Sequence, residues 1–283
     1  MSEVVFERDA KVFLDKYGDW LRQKEVEHSL MLAVCNGAIT GKYPKIHCFA
    51  VLKEGLPSLL AVCTPPYHLL LSESSGECID KLACELAKTD IEFPGVLGPS
   101  SIAKSFVNRW VELTNKKFTE NMRDFIYVLH KVNFPQPKGE GEFYFAQDDD
   151  LDLFTDWNKA FVAEALPDEK ELNEDKARER VERLISSQNL AVWRVGGKPV
   201  SCASLTVYDG VARVGFVYTP PKLRGKGYAS AVAAHLSQHA LDKGARYCCL
   251  YANAANGTSN SIYKKMGYEL VTEAVLYLQE KQG

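Results

Sequence analysis

The chain has 283 residues, 46% hydrophobic and 25% charged, with a net charge of −3. That length suits two domains, and the composition is that of a globular protein with a sizeable core. A balance so near neutral excludes the broad positive field of a nucleic-acid or membrane-surface protein, and eight scattered cysteines without a C-x-x-C pair exclude a zinc site built on local spacing.

The chain opens on "MSEVVFERDAKVF", where acids and bases stand in place of the apolar stretch of a secretory signal. No run reaches the roughly 18 apolar residues that span a bilayer. A reduced, cytoplasmic setting is therefore expected. Apolar residues at helical spacing fill about 9–36. "HCFAVLKEGLPSLLAVCTPPYHLLLS" then reads as strand, turn, strand, turn, strand. A helix at "ECIDKLACELAK", the stretch "IEFPGVLG" and a helix carrying Ile102, Phe106, Trp110 and Leu113 follow, and "DFIYVLHKV" (124–132) closes this half as a strand. "FPQPKGEGE" (134–142) then breaks the apolar pattern with prolines, glycines and charge. It predicts domains at 1–134 and 135–283.

The second half repeats the plan. "FYFAQ" (143–147) predicts a strand, Leu153, Phe154, Trp157 and Phe161 one helix, and "NEDKARERVERLISSQ" another with Ala177, Val181, Leu184 and Ile185 on one face. "LAVWRV", "PVSCASLTVY" and "VARVGFVYT", separated by Gly196-Gly197 and Asp209-Gly210, predict an antiparallel meander with two-residue turns. A helix with Ala229, Val232, Ala233, Leu236 and Ala240 on one face stops at Gly244. "ARYCCLYA", a short helix stopped by Gly267, and "ELVTEAVLYLQ" complete the chain. The shared order of elements predicts a diverged internal repeat.

One feature does not repeat. "TPPKLRGKGYAS" puts two glycines and three cations between a strand end and a helix start, where the first half has "ESSGECIDKL". Gly225 and Gly227 let backbone N–H groups converge, and the helix start and Lys222, Arg224 and Lys226 add positive charge. That suits a phosphate or pyrophosphate, although a glycine turn with solvated basic residues explains the same string. A Walker loop is absent. The dinucleotide fingerprint fails at Ser230, and "YCCLYANA" lacks its acid.

"RGKGYA" (224–229) fits the R/Q-x-x-G-x-G/A motif, and "NGTSNSIYKKMGY" (256–268) carries Asn256, Tyr263, Gly267 and Tyr268 in an Asn…Tyr-x-x-x-Gly-aromatic pattern. With that element order, the second half resembles the GCN5-related N-acetyltransferases (GNAT). The first half resembles a degenerate copy that lacks the loop, as in a bacterial group of predicted acetyltransferases. The resemblance implies an α+β fold of two tandem GNAT-like domains, each a mixed, mostly antiparallel sheet flanked by helices. It implies acetyl-CoA as acyl donor, no metal, and transfer to a primary amine of a small molecule or peptide by direct attack in a ternary complex. The alternative is a non-catalytic acyl-CoA-binding or scaffold protein.

What the resemblance implies for individual residues is as follows. The pantetheine arm pairs with the strand Val214–Thr219, through Phe216, Val217, Tyr218 and Thr219. Pro220 and Pro221 end that pairing. The pyrophosphate rests on the amides of Arg224, Gly225, Lys226, Gly227, Tyr228, Ala229 and Ser230. A backbone N–H near Val217 or Tyr218 faces the oxyanion. Tyr263 protonates the leaving thiolate, unless it is only a buried aromatic. Asn256 either bonds the pantetheine or caps a helix. Glu164 is the candidate base, against the plain reading of a solvated helix-end carboxylate. Asp209 reads as a turn residue, Cys248-Cys249 as core, Lys264 and Lys265 as a solvated face, and His235 and His239 as packed or solvated. Acidic residues at 148–175 either flank a cationic amine or form a solvated helical face. The expected partners are acetyl-CoA and a small amine acceptor, with no nucleic acid or membrane, in a monomer or homodimer.

Overall fold

The computed structural model describes residues 2–74, 76–136, 141–165 and 173–280. Two compact units emerge: residues up to Ile126 with those from Val271 on, and Tyr127–Leu270. The expected boundary at 134/135 therefore falls inside the second unit, and the C-terminal strand belongs to the first. Residues 137–140 of the expected linker lie outside the described residues.

The first unit contains β1 (Ser2–Glu7), α1 (Ala10–Arg22), α2 (Ser29–Ile39), β2 (His47–Lys53), β3 (Leu56–Cys63), β4 (Leu69–Leu71), α3 (Gly76–Leu86), β5 (Gly95–Pro99), α4 (Ser100–Thr114) and β6 (Phe118–Leu129) as far as Ile126. Asp9 starts α1 by accepting from the Lys11 and Val12 amides at 2.7 and 3.1 Å. Strand β1 is an addition to the sequence reading. Its half-charged pattern carries little strand signal, and tertiary pairing supplies the rest, with Phe6 opposite Phe49 on β2. The core joins Leu59, Val96, Ile79, Leu82, Phe106 and Trp110 between the sheet and α3 and α4.

The second unit starts with the end of β6, then has β7 (Glu142–Phe145), α5 (Leu151–Ala165), α6 (Glu174–Ser186), β8 (Leu190–Val195), β9 (Lys198–Tyr208), β10 (Val211–Tyr218), α7 (Tyr228–Asp242), β11 (Tyr247–Asn253), α8 (Gly257–Lys265) and the start of β12 (Glu269–Gln279). From β1 and from β7 the elements run in one order, β-α-α-β-β-β-α-β-α-β. The last strands are exchanged between the two sets: β12 lies beside β5, antiparallel, and β6 beside β11.

The fold class is as expected: α+β, mostly antiparallel sheet, flanked by helices. The meander forms with its predicted turns. Asp209 and Gly210 both take positive φ, 48° and 74°, which the two-residue turn requires. Gly244 and Gly267 follow α7 and α8 at φ 94° and 98°. Helix α6 buries Ala177, Val181 and Ile185 and is capped by Asn173, whose side chain accepts from the Lys176 amide at 2.9 Å. Among the described residues no helix is long and apolar enough to cross a membrane.

Candidate active site

Strand β10 has unlike edges. Against β9 it is regular from Val211↔Tyr208 to Gly215↔Ser204. Tyr218 then faces Cys202, so β10 takes three steps where β9 takes two. This is a bulge. Phe216 carries it at φ 44°, a conformation costing a non-glycine residue about 1 kcal/mol or more. Packing holds it there: Phe216 is 2% exposed, with its ring 5.3 Å from Phe161 of α5. Beyond the bulge, Ser201 donates to the Tyr218 carbonyl at 2.9 Å and meets the Thr219 hydroxyl at 2.8 Å, fixing the strand end.

The other edge opens. β10 and β11 pair in parallel only from Val211↔Tyr247 to Arg213↔Cys249, while β10 runs on to Tyr218 and β11 to Asn253. The wedge begins after Arg213, and the bulge falls within it.

The basic loop stands at the end of β10. Pro220 and Pro221 lead into a single 3-10 turn, Pro221–Leu223. Arg224 then ties the loop down. Its Nε donates to the Thr219 carbonyl at 2.8 Å, its Nη2 to both Glu164 oxygens at 3.0 and 2.7 Å, and its guanidinium lies 5.8 Å from the Tyr218 ring centre. Gly225 and Gly227 take φ 75° and 84°. A Cβ added at Gly225 would meet nothing within 4 Å. Gly227 caps α7 with no side-chain hydrogen bond, so the cap residue does not compete for the first-turn amides of Tyr228, Ala229 and Ser230. Lys222 and Lys226 are exposed and, among the described residues, pair with no carboxylate. The loop is a set of amides and cations open to solvent.

Glu164 is thus placed beside the loop but committed to Arg224. Tyr263 lies on α8 and is 8% exposed, its ring 6.3 Å from that of Tyr127 and 5.8 Å from that of Tyr268. Burial pushes its phenol up to about 12. Of the two roles open to Asn256, the structure forms the cap: its Oδ1 accepts from the Ser259 amide at 3.0 Å. Sequence reasoning missed Asn260. This buried residue donates to the Asn253 and Asn256 carbonyls, both at 2.9 Å, and accepts from the Tyr127 hydroxyl at 3.0 Å. Its signal was only its place one turn before Tyr263.

The remaining candidates serve local structure. His235 stacks on Phe143 and lies near Trp193, and His239 meets Phe145 edge-on. The Cys248 thiol donates to the Ser237 carbonyl at 3.5 Å on α7, and Cys249 is buried. Lys264 and Lys265 are exposed. Of the acidic run, Asp152 pairs with Arg178, and Asp156 and Glu174 with Lys159. Residues 166–172 lie outside the described residues. A cavity of about 320 Å³ lined by Asp148, Leu151, Glu179, Glu182 and Arg183 is an acidic groove and includes none of the loop residues.

Residues 142–268 match the model of the acetyltransferase (GNAT) family. No curated protein matches the sequence. Solved structures similar to this chain include an acetyltransferase from the GNAT family of Colwellia psychrerythraea, with TM-score 0.60, 13% identity, and coverage of 99% of this chain and 100% of that one. A Drosophila protein gives TM-score 0.67 at 14% identity, covering 98% and 99%. A GCN5-related N-acetyltransferase from Sphaerobacter thermophilus gives 0.58 at 13%, covering 83% and 81%. At such identities the likeness is one of fold, and for the first two it spans nearly the whole chain. The family match covers the open-edged β10, the glycine loop and α8, so it is this segment, a little under half of the chain, that is similar to the GNAT acetyltransferase family.

Proposed function

We propose that the protein is an acetyl-CoA-dependent N-acetyltransferase acting on a primary amine of a small molecule or peptide. One observation carries this reading: β10 loses its β11 partner after Arg213 and ends at a loop of open, positive-φ glycines on the start of α7. An extended pantetheine arm fits the unpaired edge as an added strand would. A pyrophosphate fits the amides from Arg224 to Ser230, with Lys222 and Lys226 at hand. When bound, acetyl-CoA would supply the thioester: a C–N bond to the amine would form and the C–S bond break, the amine giving its proton to water and the departing thiolate taking one to leave as the thiol.

The chain's own residues have these tasks. The bulge at Phe216 turns the following amides of Val217 and Tyr218 out of the regular ladder, which makes their N–H groups candidates to donate hydrogen bonds to an oxyanion. Tyr263 stays protonated throughout the neutral range because burial disfavours phenolate, so its hydroxyl can donate to the departing sulfur. Glu164 would have to release Arg224 before acting as base. The hydrogen bonds that Arg224 Nη2 donates to both of its oxygens support a role in positioning the loop instead. The engaged carboxylate is also what favours the second reading, a non-catalytic acyl-CoA-binding protein.

Calorimetric titration with acetyl-CoA, followed by thiol release with a panel of amines, tests both readings. Binding with amine-dependent release is expected. Binding without release from any amine leaves the binder, and absence of binding removes both.

A further inference from the structure

We propose that the acceptor is an amine that also carries a carboxylate, and that Arg213 holds that carboxylate at the apex of the β10–β11 wedge; this rests on the acetyltransferase reading above. Arg213 and Cys249 form the last paired rung between the strands. The neighbouring Cys248 points to α7, since its thiol bonds to the Ser237 carbonyl there. Alternation along β11 therefore turns Cys249 and its rung partner Arg213 to the opposite face. A ligand anchored on that face has its other end beside Val214 and Gly215, the first residues of the unpaired edge.

Three features of the apex ask for an anion. The Arg213 guanidinium pairs with no carboxylate among the described residues, and it lies 4.7 Å from the ring centre of Tyr251. An arginine laid on an aromatic face is oriented but not neutralised. Tyr208 stands on the same face, opposite Val211 and one diagonal from Arg213. It is 8% exposed, and its hydroxyl is buried without a hydrogen-bond partner among the described residues. An orphaned buried hydroxyl costs free energy that a ligand oxygen recovers. One guanidinium with neutral phenols matches a single negative charge and the planar fork of a carboxylate. A phosphate would call for more cations than this site holds. The amine of such an acceptor is then presented to the wedge while its carboxylate remains behind on Arg213.

The test uses the full chain and matched ligands, so that binding is read apart from turnover. With CoA present, a panel of N-acetyl amino acids is compared with their C-terminal amides by thermal shift. Thiol release from acetyl-CoA is compared between amino acids and their decarboxylated amines. We expect the carboxylates to be preferred in both assays, and Arg213→Gln to erase about ten- to a hundred-fold of that preference with acetyl-CoA affinity kept. Tyr208→Phe should weaken carboxylate ligands several-fold. Equal response to carboxylates and amides, or a preference that survives in Arg213→Gln, overturns the proposal even if amines are acetylated. Failure of acetyl-CoA to bind the wild type fails the acetyltransferase reading separately. The carboxylate–amide comparison still decides the Arg213 site in that case.

Discussion

The same two strands differ between the units. In the second, β10 and β11 part after three rungs, and Gly215 has room: an added Cβ would meet only the Ser204 hydroxyl, at 3.8 Å. In the first, β4 has only Leu69–Leu71 and pairs with β5 at Leu69↔Val96 and Leu70↔Leu97. A Cβ at Gly98 would stand 3.0 Å from both the Cβ and the carbonyl of Leu71, so the strands stay close where their counterparts open. Ser72 then keeps the chain on β3, donating its amide to the Leu60 carbonyl and accepting the Leu60 amide on its hydroxyl at 2.8 Å. The segments after β4 and β10 differ in charge as well. Glu73 pairs with Lys24 and Glu77 with Lys53, where in the second unit Lys222 and Lys226 pair with no carboxylate among the described residues. One order of elements thus holds a glycine-rich, basic loop in one unit and ion-paired acidic residues in the other. Architecture and chemistry are inherited separately.

The largest expected effect comes from making the second loop resemble the first. Gly225→Glu places a carboxylate and a strained φ among the amides and should weaken acetyl-CoA binding by about a hundredfold or more in calorimetry. Gly76→Glu, at the start of the helix that matches α7, should change it not at all. Tyr263→Phe should lower kcat by about a hundredfold with acetyl-CoA affinity intact; an unchanged kcat removes the phenol from the reaction. Closure of the first unit is tested by Gly98→Ala, which should cost about 1–3 kcal/mol by crowding Leu71, against less than about 1 kcal/mol for Gly215→Ala, both read from denaturant unfolding. Glu164→Gln should reduce kcat less than about tenfold and alter stability by under about 1 kcal/mol, because the pair with Arg224 is half exposed. A hundredfold loss of kcat would return Glu164 to the role of base. The smallest effect is on pH dependence. Tyr263 titrates near 12 in the fold against 10 in its absence, so its stabilising protonated form is complete below pH 10 and lost as pH rises to 12. In Tyr263→Phe the alkaline loss of stability over that window should be shallower.

The meander was legible because Gly196-Gly197 and Asp209-Gly210 carry their turn conformation locally, at positive φ that these residues tolerate. Helices α5 to α7 were legible because apolar residues recur at helical spacing, and the loop because glycine and charge adjoin a helix start. The pattern at Asn256 was also readable, and its cap needed only Ser259, three residues on. Other features had no local signature. The bulge puts Phe216 in a left-handed conformation against its own preference, and packing from elements distant in the chain, Phe154 and Phe161 of α5 among them, makes that tolerable. The hold of Glu164 on Arg224 joins residues 60 positions apart.

The exchange of β6 and β12 shows the division most plainly. Each reads as a strand from its own alternation, but nothing in either string says whether it lies beside β5 or β11, since both offer unpaired backbone groups to any extended partner. The sequence by itself determined which segments are helices, strands and turns, and where charge and glycine meet, because those depend on neighbours within a few residues. Tertiary structure alone decided strand partners, the open wedge, the bulge and the burial of a Tyr208 hydroxyl that has no partner among the described residues, because each depends on which surfaces the folded chain brings together and which it leaves apart.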